Sequence, residues 1–345
     1  MNESTKILLE RKSLFQTVMS ETYSSALCRD FDKLSDEAKD ADEFFNIIPI
    51  NTSNEDLLSY IMVYEYILNF LYNYDSKKFQ RIHKGIPFYF LGIRSFIIGD
   101  FERAVFYMDA ALHEDLRFHQ TLNNTPSRLF FALDTSNPNQ FALDIVKRIR
   151  KLLKSMLVNA QKCGCTVLTI EDIVQKLINN RIPELRTIAT SYLSFILEYE
   201  VRMNQLIISS EGVGTGEPFF LHLIKGTVIF ESLLANSERG KQIKRKRLGD
   251  YLKDDTITSK LGLDCKQDGL HPESYEDLIL KVLEIKSRGA KYSHQCIRVT
   301  WGVRNLLTHT IGWPKPNPKE YDILFNYIFG AICFAIDGLY SKETE

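Results

Sequence analysis

An excess of charge of either sign is missing from this chain: 43 Lys and Arg stand against 44 Asp and Glu over 345 residues, a formal net charge of −1. No global field therefore draws the whole molecule toward nucleic acid, and such binding has to come from a local patch. Long hydrophobic runs are also missing. The longest, Ile323 to Ile336, contains Asn326 and is flanked by Asp322 and Asp337. It falls well short of the roughly 20 apolar residues of a membrane span, so a core helix and no membrane partner are expected. The opening MNESTKILLERK has no apolar stretch of the kind a secretory signal needs. The six cysteines (Cys28, Cys163, Cys165, Cys265, Cys296 and Cys333) show no repeating spacing, which argues against a disulfide framework or a structural zinc site. A cytoplasmic location fits that usage.

Alternating strand patterns are nearly absent, whereas helical periodicity is everywhere, so the expected class is all-α. Length alone calls for about two domains. In the N-terminal half, residues 55–74 read as a long apolar helix. Residues 85–115 read as two helices around Gly99 and Asp100, with Ala104, Ala110 and Ala111 small enough for close approach. That hairpin resembles one tetratricopeptide-type unit. No second copy recurs at a fixed period, as a solenoid would require, so an irregular helical domain is expected. Residues 139–161 form a further helix whose C-terminal half is basic, which suits the helix dipole. Thr169 and Asp172 have the spacing of a capping box. The division is placed at residue 180: an irregular helical sensor or regulatory domain over 1–180, then a bundle of four or five helices over 181–345. Its expected helices run over 183–208, 218–236, 273–288, 291–311 and 318–340.

Helix 291–311 carries the candidate chemistry. Projection at about 100° per residue gathers Tyr292, Cys296, Val299, Val303, Leu306 and Leu307 on one stripe, the expected core face. The other arc holds His294, Arg298, Trp301, Arg304, Asn305, Thr308 and His309. A tryptophan among cations is expected to be covered by another surface or to stack on a ligand. His309 falls in the last expected turn, where unpaired carbonyls favour imidazolium. An imidazole titrating near neutrality suits acid or base work, and a guanidinium suits a phosphate gaining negative charge. Together they describe attack of a ribose 2′-hydroxyl on its neighbouring phosphate. No carboxylate cluster spaced for magnesium stands nearby, and neither metal nor cofactor is expected. A plain helix end whose basic residues complement the dipole is the competing reading.

Arg304-Asn305-Leu306-Leu307-Thr308-His309 resembles the R-x4-6-H signature of the HEPN superfamily, as does the surrounding order of a helical bundle, a motif near the end of the penultimate helix and a last apolar helix. The resemblance covers residues 185–345. It implies an endoribonuclease whose composite site forms in a homodimer, with Arg304 and His309 catalytic and Asn305 orienting. Arg298, Trp301 and Thr308 are added as RNA contacts from the projection alone. A second feature lies between the expected second and third helices of the bundle. Arg239 to Arg247 holds six cations in nine residues, with Lys241, Lys244, Arg245, Lys246 and Arg247 as candidate phosphate contacts. A solvated loop is the alternative. The resulting expectation is a metal-independent RNA-cleaving homodimer of the toxin or anti-phage defence type, regulated through its N-terminal domain by a protein or ligand. The alternative expectation is a non-catalytic helical scaffold, or an RNA- or nucleotide-binding interaction protein.

Overall fold

The computed structural model of the chain describes residues 16–47, 57–118, 125–136, 140–162, 168–178, 183–209, 214–263, 269–308 and 313–340. The fold is all-α. Among the described residues no strand forms, and extended pairing is limited to an isolated antiparallel bridge between Thr215 and Pro314. The chain divides into two compact units, Met1–Val146 and Lys147–Glu345.

The first unit contains α1 (Glu21–Lys33), α2 (Ala38–Ile47), α3 (Leu57–Tyr74), α4 (Ser76–Arg81), α5 (Gly85–Ile97), α6 (Phe101–Phe118), α7 (Pro126–Phe131) and the start of α8 (Gln140–Lys162). Its core gathers Phe31, Phe45, Ile61, Tyr64, Ile67, Leu71, Ile82 and Leu91. The expected hairpin is α5 and α6. Its turn has a physical cause: Gly99 takes φ 80°, while the Gly99 and Asp100 amides donate to the Phe96 and Ser95 carbonyls at 3.0 and 2.9 Å. These bonds satisfy carbonyls left open at the end of α5, and the left-handed backbone favours glycine. Within the hairpin, a Cβ on Gly92 would lie 3.2 Å from the Ala104 carbonyl oxygen.

The second unit takes the rest of α8, then α9 (Ile170–Ile173), which runs into a π-turn at Val174–Ile178. The capping box expected at Thr169 and Asp172 is formed in both directions. The bundle proper is α10 (Pro183–Ile208), α11 (Glu217–Asn236), α14 (Tyr275–Ser287), α15 (Tyr292–Leu307) and α16 (Pro318–Leu339), with the short helices α12 (Leu248–Tyr251) and α13 (Asp255–Lys260) between α11 and α14. Helix α16 packs on α10, α11 and α15, and α14 packs on α15. Asn317 caps α16 reciprocally with Glu320 and Pro318 occupies its first turn, the expected chemistry of a helix start. Helices α11 and α16 are long and apolar enough to cross a membrane by length and composition, and more than half of the most apolar part of each is buried inside the unit.

The division at Val146 and Lys147 lies upstream of residue 180, where the sequence reading placed it. Side chains explain the position. Arg148 pairs with Glu200 of α10 and Arg150 with Glu171 of α9, so the basic end of α8 is held by second-unit carboxylates. The described part of the motif helix ends at Leu307, and Thr308 closes it with its hydroxyl donating to the Arg304 carbonyl at 2.7 Å.

Candidate functional site

The stripe of α15 expected to face the core does so: Cys296, Val299, Val303, Leu306 and Leu307 are buried and Tyr292 is half-buried. The opposite arc is built differently from its projection. Arg304 emerges partly exposed, and its Nε–H donates to Glu231 Oε2 of α11 at 3.0 Å. A guanidinium bound through Nε keeps its two terminal nitrogens in a fixed plane, the arrangement that matches two phosphate oxygens. Glu231 also acts electrostatically on the phenol of Tyr251, whose pKa is raised first by burial and then by the charges of Glu231 and Asp250. The Tyr251 hydroxyl is buried with no hydrogen-bond partner among the described residues.

Trp301 corrects the expectation of an outward-facing stacking residue. It is 8% exposed. An ideal Cβ on Gly249 would fall 2.8 Å from its Cζ2, and one on Gly269 would fall 2.6 Å from its Cε2. The indole therefore lies beneath the segment between α11 and α14, where two glycine positions leave room for the ring. Covering by another surface was one of the two expected fates of this residue, and the covering surface belongs to the same chain. Asn305 is drawn into the same packing, with Nδ2 donating to the Leu270 carbonyl at 3.0 Å. That bond orients the amide while removing a donor from any ligand. Arg298 is half-buried, and its Nε is buried without a partner among the described residues. Thr308 is exposed and its hydroxyl is committed to the helix end. His309 lies outside the described residues.

The basic segment separates into an anchored start and an exposed end. Arg239 donates from Nε and Nη2 to Asp254 Oδ2 at 3.0 and 2.8 Å. Asp254 in turn accepts from the Thr256 and Ile257 amides as the cap of α13. The Arg239 hydrogen bond, with help from those amides, holds the Asp254 carboxyl below its ordinary range. Lys241 reaches Glu184 at 3.9 Å. Lys244, Arg245, Lys246 and Arg247 are all exposed. None forms an ion pair with a described residue. Helix α12 follows at once, and its Gly249 touches Trp301. The exposed cations thus enter the segment that covers the Arg304-bearing arc.

Glu231 was missed by sequence reasoning. A signal was available: it is the sole charged residue in the C-terminal half of α11, from Thr227 to Asn236, and a charge on so apolar a helix calls for a partner.

The remaining histidines differ sharply from one another. His222 is buried; its Nε2–H donates to the Phe195 carbonyl at 2.8 Å and its Nδ1 accepts from the Tyr321 hydroxyl at 2.6 Å. Burial pushes its pKa down to about 4, against the opposing charge of Glu198, so it is a neutral structural imidazole. His83 is buried between two carboxylates, Asp42 at 2.8 Å and Asp115 at 3.3 Å. Ser127 donates to the far oxygen of Asp115 at 2.5 Å. Burial alone would lower the pKa of His83, but hydrogen bonds and charge from Asp115 and Asp42 outweigh it and lift the group to about 9. His113 is exposed and bonds the Asp109 carbonyl one turn back. His119, Cys163, Cys165 and Cys265 lie outside the described residues. No group of three or more His, Cys, Asp or Glu among the described residues is placed to hold a metal ion.

Comparison of the chain with models of known protein families, with curated proteins and with solved structures gives no match.

Proposed function

We propose that the C-terminal bundle binds RNA through its phosphates and cleaves it without a metal ion, as a homodimer that brings two copies of the α15 end together. The observation that carries this reading is the pairing of a semi-exposed, Nε-anchored Arg304 with four exposed cations, Lys244 to Arg247, on the segment packed against the same helix. In the reaction His309 of one copy takes the proton of a ribose 2′-hydroxyl as its oxygen attacks phosphorus. The partner's His309 returns a proton to the departing 5′-oxygen. Arg304 offers its terminal nitrogens to the non-bridging oxygens, where negative charge grows in the transition state. The products are a 2′,3′-cyclic phosphate and a 5′-hydroxyl. Asn305, tied to the Leu270 carbonyl, acts by holding the helix end in register. A cytoplasmic toxin or defence role, with the N-terminal unit as the sensor or regulatory half, follows from the need to restrain such an activity.

A second reading is favoured by the Glu231 ion pair: a guanidinium already partnered by a carboxylate fits a non-catalytic RNA-binding scaffold equally well. One experiment separates them. Purified protein incubated with total RNA and a chelator is expected to release fragments ending in 2′,3′-cyclic phosphate, and Arg304→Ala or His309→Ala is expected to abolish them. Retained RNA binding without cleavage in the unaltered protein selects the scaffold.

A further inference from the structure

The second unit contains a cleft, largely apolar with a few polar groups on its walls, that the RNA reading does not use. It has a volume of about 370 Å³ and lies where the end of α14 and the first turn of α15 meet α16 and the C-terminal part of α8. That volume falls within the range of small-molecule sites. Its wall on α16 presents Asp322 and Asn326, one helical turn apart and therefore on one face. Asn326 Nδ2 donates to both the carbonyl and the Oδ1 of Asp322 at 2.8 Å. Because both partners are acceptors, the amide orientation is settled and the Asn326 carbonyl oxygen is left over. Asp322 Oδ1 also accepts from the Tyr199 hydroxyl at 2.5 Å. Asp322 Oδ2 and Asn326 Oδ1 thus remain as two acceptor oxygens without a donor among the described residues.

The neighbouring wall is aromatic and rigid. Tyr292 and Tyr327 lie with centroids 5.7 Å apart and rings inclined by 34°. Gln295 accepts from the Tyr327 hydroxyl at 2.9 Å and donates to the Ala290 carbonyl at 2.6 Å, so its amide is engaged at both ends and locks the wall in place. Lys286, in the last turn of α14, supplies an exposed cation to the lining. It makes no ion pair with a described residue. A carboxylate, a spare amide oxygen, an aromatic wall and one ammonium are complementary to a planar fork of N–H donors that also bears an anionic group.

We infer that this cleft binds a guanidino acid of the arginine class, its guanidinium on Asp322 and Asn326 beside the tyrosines and its carboxylate on Lys286. A guanidinium matches adjacent acceptor oxygens and stacks on aromatic faces, as a tetrahedral ammonium does not. Titration calorimetry on the full chain tests this with L-arginine, agmatine and L-lysine. L-arginine is expected to bind saturably, agmatine about tenfold more weakly for want of the carboxylate, and L-lysine not at all. Asp322→Asn is expected to abolish arginine binding. Since Asp322 also anchors Tyr199, Lys286→Ala supplies the second variant: on an exposed position it keeps the helical circular dichroism and is expected to erase the preference for arginine over agmatine. No saturable heat with arginine, or equal binding of lysine, overturns the assignment, as does an unchanged arginine-to-agmatine ratio in folded Lys286→Ala.

Discussion

Arg304 and Trp301 stand one turn apart on α15 yet have opposite fates, because their surroundings differ. Arg304 keeps a route to solvent beside Glu231, whereas Trp301 is roofed by Gly249 and Gly269. A partly exposed ion pair such as Arg304–Glu231 contributes about 1 kcal/mol or less to stability, so its effect is on the direction and availability of the guanidinium. Trp301 is a packing residue, and its truncation is expected to act on folding. Trp301→Ala should destabilise the second unit by about 3–5 kcal/mol, the cost of removing a large buried aromatic. Chemical denaturation followed by circular dichroism checks it, and an unchanged midpoint would return the indole to the surface. The polar identity of the arc was readable from 3.6-residue periodicity. Whether a given member of it faces water was not, because the covering residues are far away in sequence.

At the scale of elements, the segment between α11 and α14 is the piece whose structure most changes the reading of the chain. Its composition marked it as basic and irregular. Folding turns it into two short helices with a defined anchor at Arg239 and Asp254, and into a cover for α15. On the proposed RNA reading, four exposed cations in succession are expected to make phosphate contacts that weaken steeply with salt. Replacing Lys244 and Lys246 by Ala is expected to lower affinity for single-stranded RNA and to reduce the slope of log affinity against log salt by about 0.7 for each phosphate no longer neutralised. Binding measured by fluorescence anisotropy across a salt series checks this, and an unaltered slope would mean that the segment is a solvated surface. Helix starts were far more legible: Thr169, Pro183 and Asn317 stand where local capping or proline chemistry puts them. Those signals act within one turn and need no tertiary partner.

At the scale of the whole molecule, the two units are expected to respond to pH in opposite senses. His222, in the second unit, has a folded pKa of about 4, below the ordinary histidine value of 6.5. Its unfolded form binds more protons between those values, so the stability of this unit is intact above pH 6.5 and falls as pH drops toward 4. The difference between the two values corresponds to roughly 3 kcal/mol. His83, in the first unit, has a folded pKa of about 9. Its contribution is complete below pH 6.5 and is lost as pH rises toward 9. Thermal melts of the full chain from pH 4 to pH 9 are therefore expected to show one unit weakening in acid and the other in mild alkali. His222→Gln should remove the acid limb and His83→Gln the alkaline one; a single transition with the same pH dependence in both variants would refute the assignment.

Local order was determined by the sequence alone: an all-α chain, the hairpin about Gly99, the capped starts of α9 and α16, and the apolar stripe of α15. Each depends on residues within a few positions of one another, where periodicity and capping act directly. Tertiary structure decided the rest. It placed Glu231 against Arg304 across 73 residues, roofed Trp301 with the segment that follows α11, and enclosed His83 between Asp42 and Asp115. It also moved the unit boundary into α8. Charge pairing and burial depend on what distant segments bring to the same place, and no local pattern in the chain encodes that meeting.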